Sequence, residues 1–262
     1  MTTATAAPER FDIGRVFSSG FAIVARRPLT LIVLVAIFGY LPTAATLWLT
    51  THMLPMPTPG APPNFGAIFQ RLGLTELIRV FDGGFEWILQ GAVAVAALSD
   101  LRGRPLGVGD VLARTAPRMP IVYGVGVLAT LGIVLGTIAF IVPGVLLALA
   151  WSVGGAVAMV EKPGLGAIRR AAELTRGNRL SLFIIFLVWG VAALVLGVLA
   201  GLAGGAAMAA GGGAPLWFTL GVQPLVAAVV QVFSTATLVA AYVELRGVKE
   251  GLAASSLASL FD

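Results

Sequence analysis

The chain contains no cysteine and one histidine, and only 11% of its 262 residues are charged. Without cysteine, neither a disulfide framework nor a thiolate metal site can form, and His52 alone leaves almost no capacity for imidazole ligation or base catalysis. Soluble globular domains carry about 25% charged residues. So low a charge content, with 58% hydrophobic residues and a mean hydropathy of +0.97, predicts a chain that is solvated by lipid.

Motifs for enzymatic chemistry are also absent. The sequence contains no H-E-x-x-H, G-x-S-x-G or Walker A pattern, and Gly164-Leu-Gly166 lacks the third glycine of a dinucleotide loop. We therefore expect no enzymatic activity, no cofactor and no metal site. The pI near 10.4 would suggest nucleic acid in a soluble protein. Here the basic residues lie between apolar runs, so the expected partner is anionic membrane lipid and not nucleic acid.

Six apolar runs are long enough to cross a hydrocarbon layer of about 30 Å. They predict an all-α integral membrane protein with six transmembrane helices arranged as three hairpins, in a single domain of residues 1–262. The runs are Leu29–Thr50, Gly83–Ser99, Ile121–Val142, Gly144–Val160, Leu180–Ala203 and Leu216–Val243.

Each hairpin is preceded by an amphipathic stretch, which we expect to form a helix in the membrane interface. The order of one interfacial helix and two spans occurs three times and suggests an internal repeat, although loops between spans are often amphipathic without one. The predicted segments are an interfacial helix with the first span (11–50), the second span (76–101), an interfacial helix with the third and fourth spans (107–160), an interfacial helix with the fifth span (164–203), the sixth span (216–246) and a tail (247–262).

The third and fourth runs are continuous except for Pro143 and Gly144. Proline removes a backbone donor and glycine permits a positive φ, so this pair predicts the turn of a tight helical hairpin. A single kinked helix of this length would overshoot the bilayer, which leaves a re-entrant loop as the alternative.

The distribution of basic residues predicts the orientation of the chain. Lysine and arginine in short loops stay on the cytoplasmic side, and only Arg71 and Arg79 fall on the opposite side. We therefore expect a multi-pass protein of the bacterial inner membrane with both termini in the cytoplasm. The arginines expected to contact anionic lipid head groups are Arg15, Arg26, Arg27, Arg114, Arg118, Arg169, Arg170, Arg176 and Arg179.

Polar residues recur at three- or four-residue steps along the second span, which places them on one face of a helix. They are Glu76, Arg79, Asp82, Glu86 and Gln90. A carboxylate within the membrane needs a partner, and we expect Glu86 to meet Arg79, Gln231 or water. The stripe is compatible with a path for an ion or solute. An ion pair at the membrane interface that fixes helix packing is the interpretation we favour.

Glycines at four-residue intervals occur in two spans. They are Gly132 and Gly136 in the third span and Gly197, Gly201 and Gly205 at the end of the fifth. Such spacing lets helix backbones approach closely within a membrane. We expect the contacts to lie within the chain, with the seam of a homo-oligomer as the alternative.

The stretch from Ile141 to Trp151, IVPGVLLALAW, is followed by Glu161 and by AIRRAAELTRG at Ala167–Gly177. Together these residues resemble the membrane domain that precedes some bacterial glycerophosphodiester phosphodiesterases and also exists as stand-alone proteins. Phe11–Pro28 and Tyr242–Arg246 fit the same pattern, whereas such proteins typically carry Ser-Trp where this chain has Ala171-Ala172. The resemblance implies membrane embedding and not a reaction, because the hydrolase chemistry belongs to a separate soluble domain.

Two functions fit these patterns. The first is a non-enzymatic membrane scaffold or accessory protein that holds anionic lipid at the cytoplasmic leaflet. The alternative is a small transporter or channel that uses the polar stripe of the second span. A transporter should contain a cavity at mid-membrane bounded by discontinuous helices, whereas a scaffold should be tightly packed there.

Overall fold

The computed structural model describes residues 10–53, 65–161, 164–209 and 218–251, and all regular elements in these residues are helices. The predicted all-α class is therefore confirmed for this part of the chain. The helices are α1 (Ile13–Arg26), α2 (Pro28–Val35), α3 (Leu41–Met53), α4 (Phe65–Leu101), α5 (Val108–Thr115), α6 (Met119–Ala139), α7 (Ile141–Trp151), α8 (Gly154–Val160), α9 (Gly166–Thr175), α10 (Arg179–Ala209) and α11 (Gln223–Glu250).

Three short segments join or extend these helices. A π-helical segment, Ala36–Tyr40, joins α2 to α3, and a second one, Phe218–Val222, leads into α11. A 3-10 turn, Ala116–Arg118, joins α5 to α6. Two helix ends differ from the predicted bounds. Helix α4 begins at Phe65 and not at residue 76, and α11 continues to Glu250 and not to residue 246. The rest of the predicted tail, 252–262, lies outside the described residues.

Five stretches of helix in the described residues are long and apolar enough to cross a membrane, which makes the chain a multi-pass membrane protein. They are Pro28–Thr50, Val108–Ala139, Ile141–Val160, Arg179–Ala206 and Leu220–Glu250. The predicted second span, Gly83–Ser99, lies within α4, which is not one of the five. Its acidic and amide side chains lower its hydropathy.

The three amphipathic stretches form the helices α1, α5 and α9. The side chain of Asp12 caps α1 by accepting a hydrogen bond from the Arg15 backbone nitrogen at 2.8 Å. Each helix buries one face against the bundle. The buried residues are Val16 and Gly20 in α1, Val111 and Thr115 in α5, and Ala167, Ala171, Leu174 and Thr175 in α9.

The turn between α6 and α7 lies at Phe140 and not at Pro143 and Gly144. Phe140 is in extended conformation, with φ −160° and ψ 141°, while Pro143 and Gly144 belong to the first turn of α7. The prediction of the turn is therefore wrong. Proline in the first turn of a helix sacrifices no intrahelical hydrogen bond. Gly144 instead permits close packing, because a Cβ atom there would overlap Thr137 of α6.

The two glycine series have different outcomes. A Cβ atom at Gly132 would lie 2.9 Å from the Trp151 ring, and one at Gly136 would lie 3.0 Å from Leu147, so close packing of α6 on α7 is confirmed. On α10, a Cβ atom at any of the other three glycines would meet no described atom within 4 Å. Packing within the chain is therefore not found for Gly197, Gly201 and Gly205.

Helix α4 is the centre of the bundle. It packs most extensively against α6 and α8, while α1 packs against α11. At the second contact, a Cβ atom on Gly20 would lie only 2.9 Å from the Thr237 Cα atom. The backbones of α1 and α11 therefore touch, and α1 is an integral part of the bundle. In contrast, α10 is exposed over most of its length.

Candidate functional site

A cavity of about 700 Å³ lies within the bundle, bounded by residues of α3, α4, α6, α7, α10 and α11. Its volume falls in the range of small-molecule sites. Part of its wall is apolar, and part is formed by hydroxyl groups. The hydroxyl residues include Thr43, Thr46, Thr75, Thr130, Ser234 and Thr235.

The polar stripe of α4 faces this cavity. Arg79, Asp82, Glu86 and Gln90 all line it, so the periodicity predicted a real face of the helix. Arg79 pairs with Glu76 at 3.5 Å, and their side chains are 66% and 35% exposed. Because this pair lies within a single helix, it does not fix the packing of α4 on its neighbours.

The two carboxylates of the stripe differ in their contacts. Asp82 accepts a hydrogen bond from the Thr46 hydroxyl at 2.8 Å. Glu86, one turn further along α4, is exposed to the cavity and forms neither a hydrogen bond nor an ion pair with any described residue. Of the predicted partners, neither Arg79 nor Gln231 forms a hydrogen bond or ion pair with Glu86, although the positive charge of Arg79 acts on it through space, and the contact with water stays a prediction. A carboxylate away from bulk water and without a hydrogen-bond partner costs several kcal/mol. Among the described groups of the cavity, Glu86 would therefore gain the most free energy from a polar partner.

Gln90 has a structural contact at the break between α7 and α8. Its Nε2 donates to the Ser152 carbonyl at 2.7 Å, and its Oε1 accepts from the backbone nitrogens of Gly155 (2.8 Å) and Ala156 (3.2 Å). A helix interruption inside a membrane frees backbone groups that need partners. Gln90 satisfies these groups and holds the interrupted helix against α4.

A second interruption borders the cavity at the π segment Ala36–Tyr40. Gln231 of α11 packs directly on Gly39 of this segment, where a Cβ atom would overlap the amide group. The Tyr40 hydroxyl donates to the Leu220 carbonyl at 3.0 Å, which links the two π segments. π-helical turns inside α-helices often occur at functional sites, so the two π segments mark this part of the bundle as a candidate site.

Three indole rings form part of the cavity wall, and close packing fixes them. Trp87, Trp151 and Trp189 line the cavity. A Cβ atom at Gly126 would lie 2.8 Å from the Trp87 Cβ atom, and Trp189 stacks on Phe233 with 6.1 Å between ring centroids and 17° between planes. The aromatic wall is therefore held in place by the surrounding helices.

The ends of α4, α8 and α11 meet at one end of the bundle, which we call the basic end (Arg15, Arg27, Arg118, Arg170 and Arg246). Five side chains there form one cluster, the Glu161 network: Glu161, Arg170, Tyr242, Arg246 and Glu250. Glu161 accepts hydrogen bonds from Arg170 at 2.8 Å and from the Tyr242 hydroxyl at 3.0 Å. Arg246 pairs with Glu250 at 2.7 Å, and Arg170 also pairs with Glu250. The network joins α8, α9 and α11.

Because the Glu161 network is largely shielded from solvent, its charged side chains depend on one another for stabilisation. The Arg246 side chain is only 8% exposed and that of Glu161 is 16% exposed. Partial burial acts to lower the pKa of Arg170, but hydrogen bonds and charge from Glu161 and Glu250 outweigh it, so the pKa of Arg170 is raised above its ordinary value. Both guanidinium groups therefore stay charged and hold the carboxylates between helices.

The arginines predicted to hold lipid head groups have two kinds of environment. Arg26, Arg114 and Arg176 are exposed, and Arg179 is half-buried. The others form hydrogen bonds or ion pairs within the chain: Arg15 with Glu244 (2.8 Å), Arg27 with Asp100 (2.9 Å) and the Leu106 carbonyl, Arg118 with the Met159 carbonyl (2.8 Å), Arg169 with Glu173 (2.9 Å), and Arg170 in the Glu161 network.

Five of the polar residues at this site were named from the sequence: Arg79, Asp82, Glu86, Gln90 and Gln231 all line the cavity, whereas its hydroxyl groups and its indole rings were not predicted. One signal was available in the sixth span, where Ser234 and Thr235 follow Gln231 by about one turn in an otherwise apolar run. The indole rings offered none, since tryptophan in a span is equally compatible with core packing and interfacial anchoring.

Metal ligation has little support here: no three His, Cys, Asp or Glu side chains in the described part of the chain lie close enough to hold an ion. Comparisons of the chain with protein-family models, curated proteins and solved structures gave no match. The resemblance to the phosphodiesterase membrane domain therefore stays a prediction. A functional interpretation depends on the cavity itself.

Proposed function

We propose that this chain is a non-enzymatic membrane transporter that binds a small polar solute in the cavity of the bundle. The observation that carries the proposal is the position of Glu86, a carboxylate that forms no hydrogen bond or ion pair with a described residue, in the wall of a cavity of about 700 Å³. Ionisable side chains inside membrane bundles are costly and commonly mark solute or ion pathways.

The interrupted helices support the same proposal. The π segment Ala36–Tyr40 and the break at Ser152 and Val153 both border the cavity. Many transporters bind their substrates near mid-membrane where spanning helices are discontinuous, because the interruption brings polar backbone groups to the ligand. A tightly packed scaffold needs neither interruption.

In the proposed arrangement, six segments cross the membrane as three hairpins, with α4 as the second crossing. The helices α1, α5 and α9 each introduce one hairpin and repeat the same order of elements. By the positive-inside rule, the basic end faces the cytoplasm of the bacterial inner membrane and both termini lie on that side. The Glu161 network then ties helix ends together between the cavity and the cytoplasm.

A second role, contact with anionic lipid as a scaffold would make it, has narrower support. Arg26, Arg114 and Arg176 are exposed on or beside the amphipathic helices. Each basic residue near an anionic surface contributes about 1 kcal/mol, which salt reduces. Replacing these three arginines by glutamine should therefore lower co-purification of anionic lipid and leave the cavity unchanged. Full retention of the lipid would remove this second role.

Transport requires that the cavity be reached by water from both sides in turn, and the absence of native cysteine allows a direct test. Ser234→Cys places a thiol in the cavity, and Val195→Cys places one on the exposed side of α10 as a control. Each variant is treated with a membrane-impermeant maleimide in right-side-out and in inside-out vesicles. Gly107→Cys, which should react only in inside-out vesicles, checks the sidedness.

We expect Ser234→Cys to react in right-side-out vesicles and Val195→Cys in neither preparation. Adding Glu161→Gln to Ser234→Cys should break the Glu161 network and increase labelling in inside-out vesicles several-fold. Continued labelling from the outside would show that the double variant is folded. If the cavity thiol reacts from neither side, or never from the cytoplasmic side in either background, the transporter proposal is wrong.

A further inference from the structure

The charged residues that line the cavity are mostly acidic. Among the described residues that line it, the charged ones are Arg79, Asp82 and Glu86. Arg79 is mostly exposed and already pairs with Glu76. Asp82 accepts a hydrogen bond from the Thr46 hydroxyl, and Glu86 forms neither a hydrogen bond nor an ion pair with a described residue. In the described wall of the cavity, carboxylates therefore outnumber cationic groups.

Asp82 and Glu86 are four residues apart on α4, so they lie one above the other on the same helix face. Like charges at this spacing repel, and the repulsion grows as water is removed. The neighbouring residues Gly83, Trp87 and Ile88 are all buried. A ligand with a positive charge would relieve this repulsion, whereas an anion would add to it.

The rest of the wall indicates what kind of cation fits. Three indole rings and Phe38 and Phe186 line the same cavity. Cations are attracted to the face of an indole ring, and quaternary ammonium groups in proteins are commonly bound between aromatic rings. A compact metal ion gains little from such walls and requires several oxygen ligands at short distance. The combination of acidic and aromatic walls is therefore suited to an organic cation.

We infer that the transported solute is a small organic cation, with its charged ammonium-type group at Glu86 and Asp82 and its apolar part against Trp87 and Trp151. This inference rests on the proposed function and adds the class of substrate. The hydroxyls of the wall, such as those of Thr130 and Ser234, supply hydrogen bonds to polar substituents of the ligand.

The test uses two probes of matched size and opposite charge, tetraphenylphosphonium and tetraphenylborate. Their binding to the purified full-length protein in detergent micelles is measured by equilibrium dialysis, with empty micelles as the background. The phosphonium ion should bind saturably and the borate ion should not. Glu86→Gln should weaken phosphonium binding by at least about tenfold, because the variant removes the unpaired charge that faces the ligand.

Two variants make the test specific. Asp82→Asn should also weaken phosphonium binding, and it serves as the second cavity variant if Glu86→Gln alters folding. Glu173→Gln removes one negative charge from the exposed face of α9, outside the lining of the cavity, and should leave the affinity unchanged. Equal binding of the borate ion, or phosphonium binding that neither cavity variant reduces, would overturn the inference.

The result of the phosphonium-binding test can be distinguished from the result of the cysteine-labelling test of the proposed function. If Ser234→Cys shows access from both sides but the phosphonium ion does not bind, the chain is a transporter for another class of solute and the organic-cation inference is wrong. If the phosphonium ion binds through Glu86 and the cavity thiol never reacts from the cytoplasmic side, the cavity binds cations but transport is wrong.

Discussion

Glu161 at the basic end is paired across helices, whereas neither carboxylate of the cavity forms an ion pair with a described residue. Glu161 contacts two arginines and a tyrosine hydroxyl, and Glu86 forms no hydrogen bond or ion pair in the described part of the chain. Both are glutamates within the same helical bundle. The difference shows that amino-acid type does not decide whether an acidic residue stabilises this fold. What decides it is whether neighbouring helices supply a partner, and in the proposed function a ligand supplies it in the cavity.

The largest expected effect comes from breaking the paired end. Arg246→Leu removes one of the two arginines that Glu161 and Glu250 share, leaves only Arg170 to compensate both carboxylates, and should reduce the free energy of unfolding by about 3 kcal/mol. Arg246→Lys keeps a charge and should cost clearly less. Thermal unfolding of the purified protein in detergent measures both. An unchanged midpoint for Arg246→Leu would show that the Glu161 network does not stabilise the bundle.

Helix packing around the cavity should give the next largest effect. A Cβ atom on Gly155 would lie 2.5 Å from the Trp87 carbonyl oxygen and 2.8 Å from the Gln90 Oε1. Gly155→Val should therefore destabilise the protein by about 2 kcal/mol through overpacking. Gly197→Val is the matched control, because a Cβ atom there would meet no described atom within 4 Å, and its stability should be unchanged. Equal losses in the two variants would point to a general intolerance of valine in these helices.

Removing the charge of Glu86 should increase the free energy of unfolding, in contrast to the two variants above. Glu86→Gln eliminates a carboxylate that no described side chain compensates, so the free energy of unfolding without ligand should rise by about 1 kcal/mol. The same thermal assay applies. A loss of stability as large as that of Arg246→Leu would mean that Glu86 has a structural partner, which would end the contrast between the two regions.

The smallest effect is expected for an exposed ion pair within α9, beside the Glu161 network. Arg169 and Glu173 form an ion pair at 2.9 Å with side chains that are 88% and 52% exposed. Arg169→Ala should change stability by less than about 0.5 kcal/mol, because solvent screens such pairs. A larger loss in the thermal assay would indicate that the whole basic end acts as one network and not as separate pairs.

Features that depend on local pattern were predictable from the sequence. The three- and four-residue steps from Arg79 to Gln90 correctly placed these residues on one helix face, because helical geometry alone fixes that relation. The amphipathic stretches predicted α1, α5 and α9 for the same reason. The position of the turn between α6 and α7 was not predictable from Pro143, since proline is compatible with the first turn of a helix as well as with a turn between helices.

Features that depend on contacts between distant residues were not predictable. The sequence showed clusters of arginine but not that Arg27 reaches Asp100 or that Arg15 reaches Glu244. In the same way, Gly132 and Gly197 occur in similar glycine series, and only the first meets a neighbouring helix. The pairing of helices decides both outcomes, and a single sequence contains no direct signal of that pairing.

The π segment Ala36–Tyr40 changes the helical phase within the first span. Successive residues of an α-helix are rotated by about 100°, and a π turn holds one residue more than an α turn, so the residues of α3 are displaced by about that angle from the positions that a continuous α-helix would give them. With Leu31 and Leu34 in the core, a continuous α-helix over the same residues would turn Thr43 and Thr46 away from the cavity. A helical-wheel projection drawn through 28–53 as one continuous helix therefore assigns the wrong azimuth to its second half.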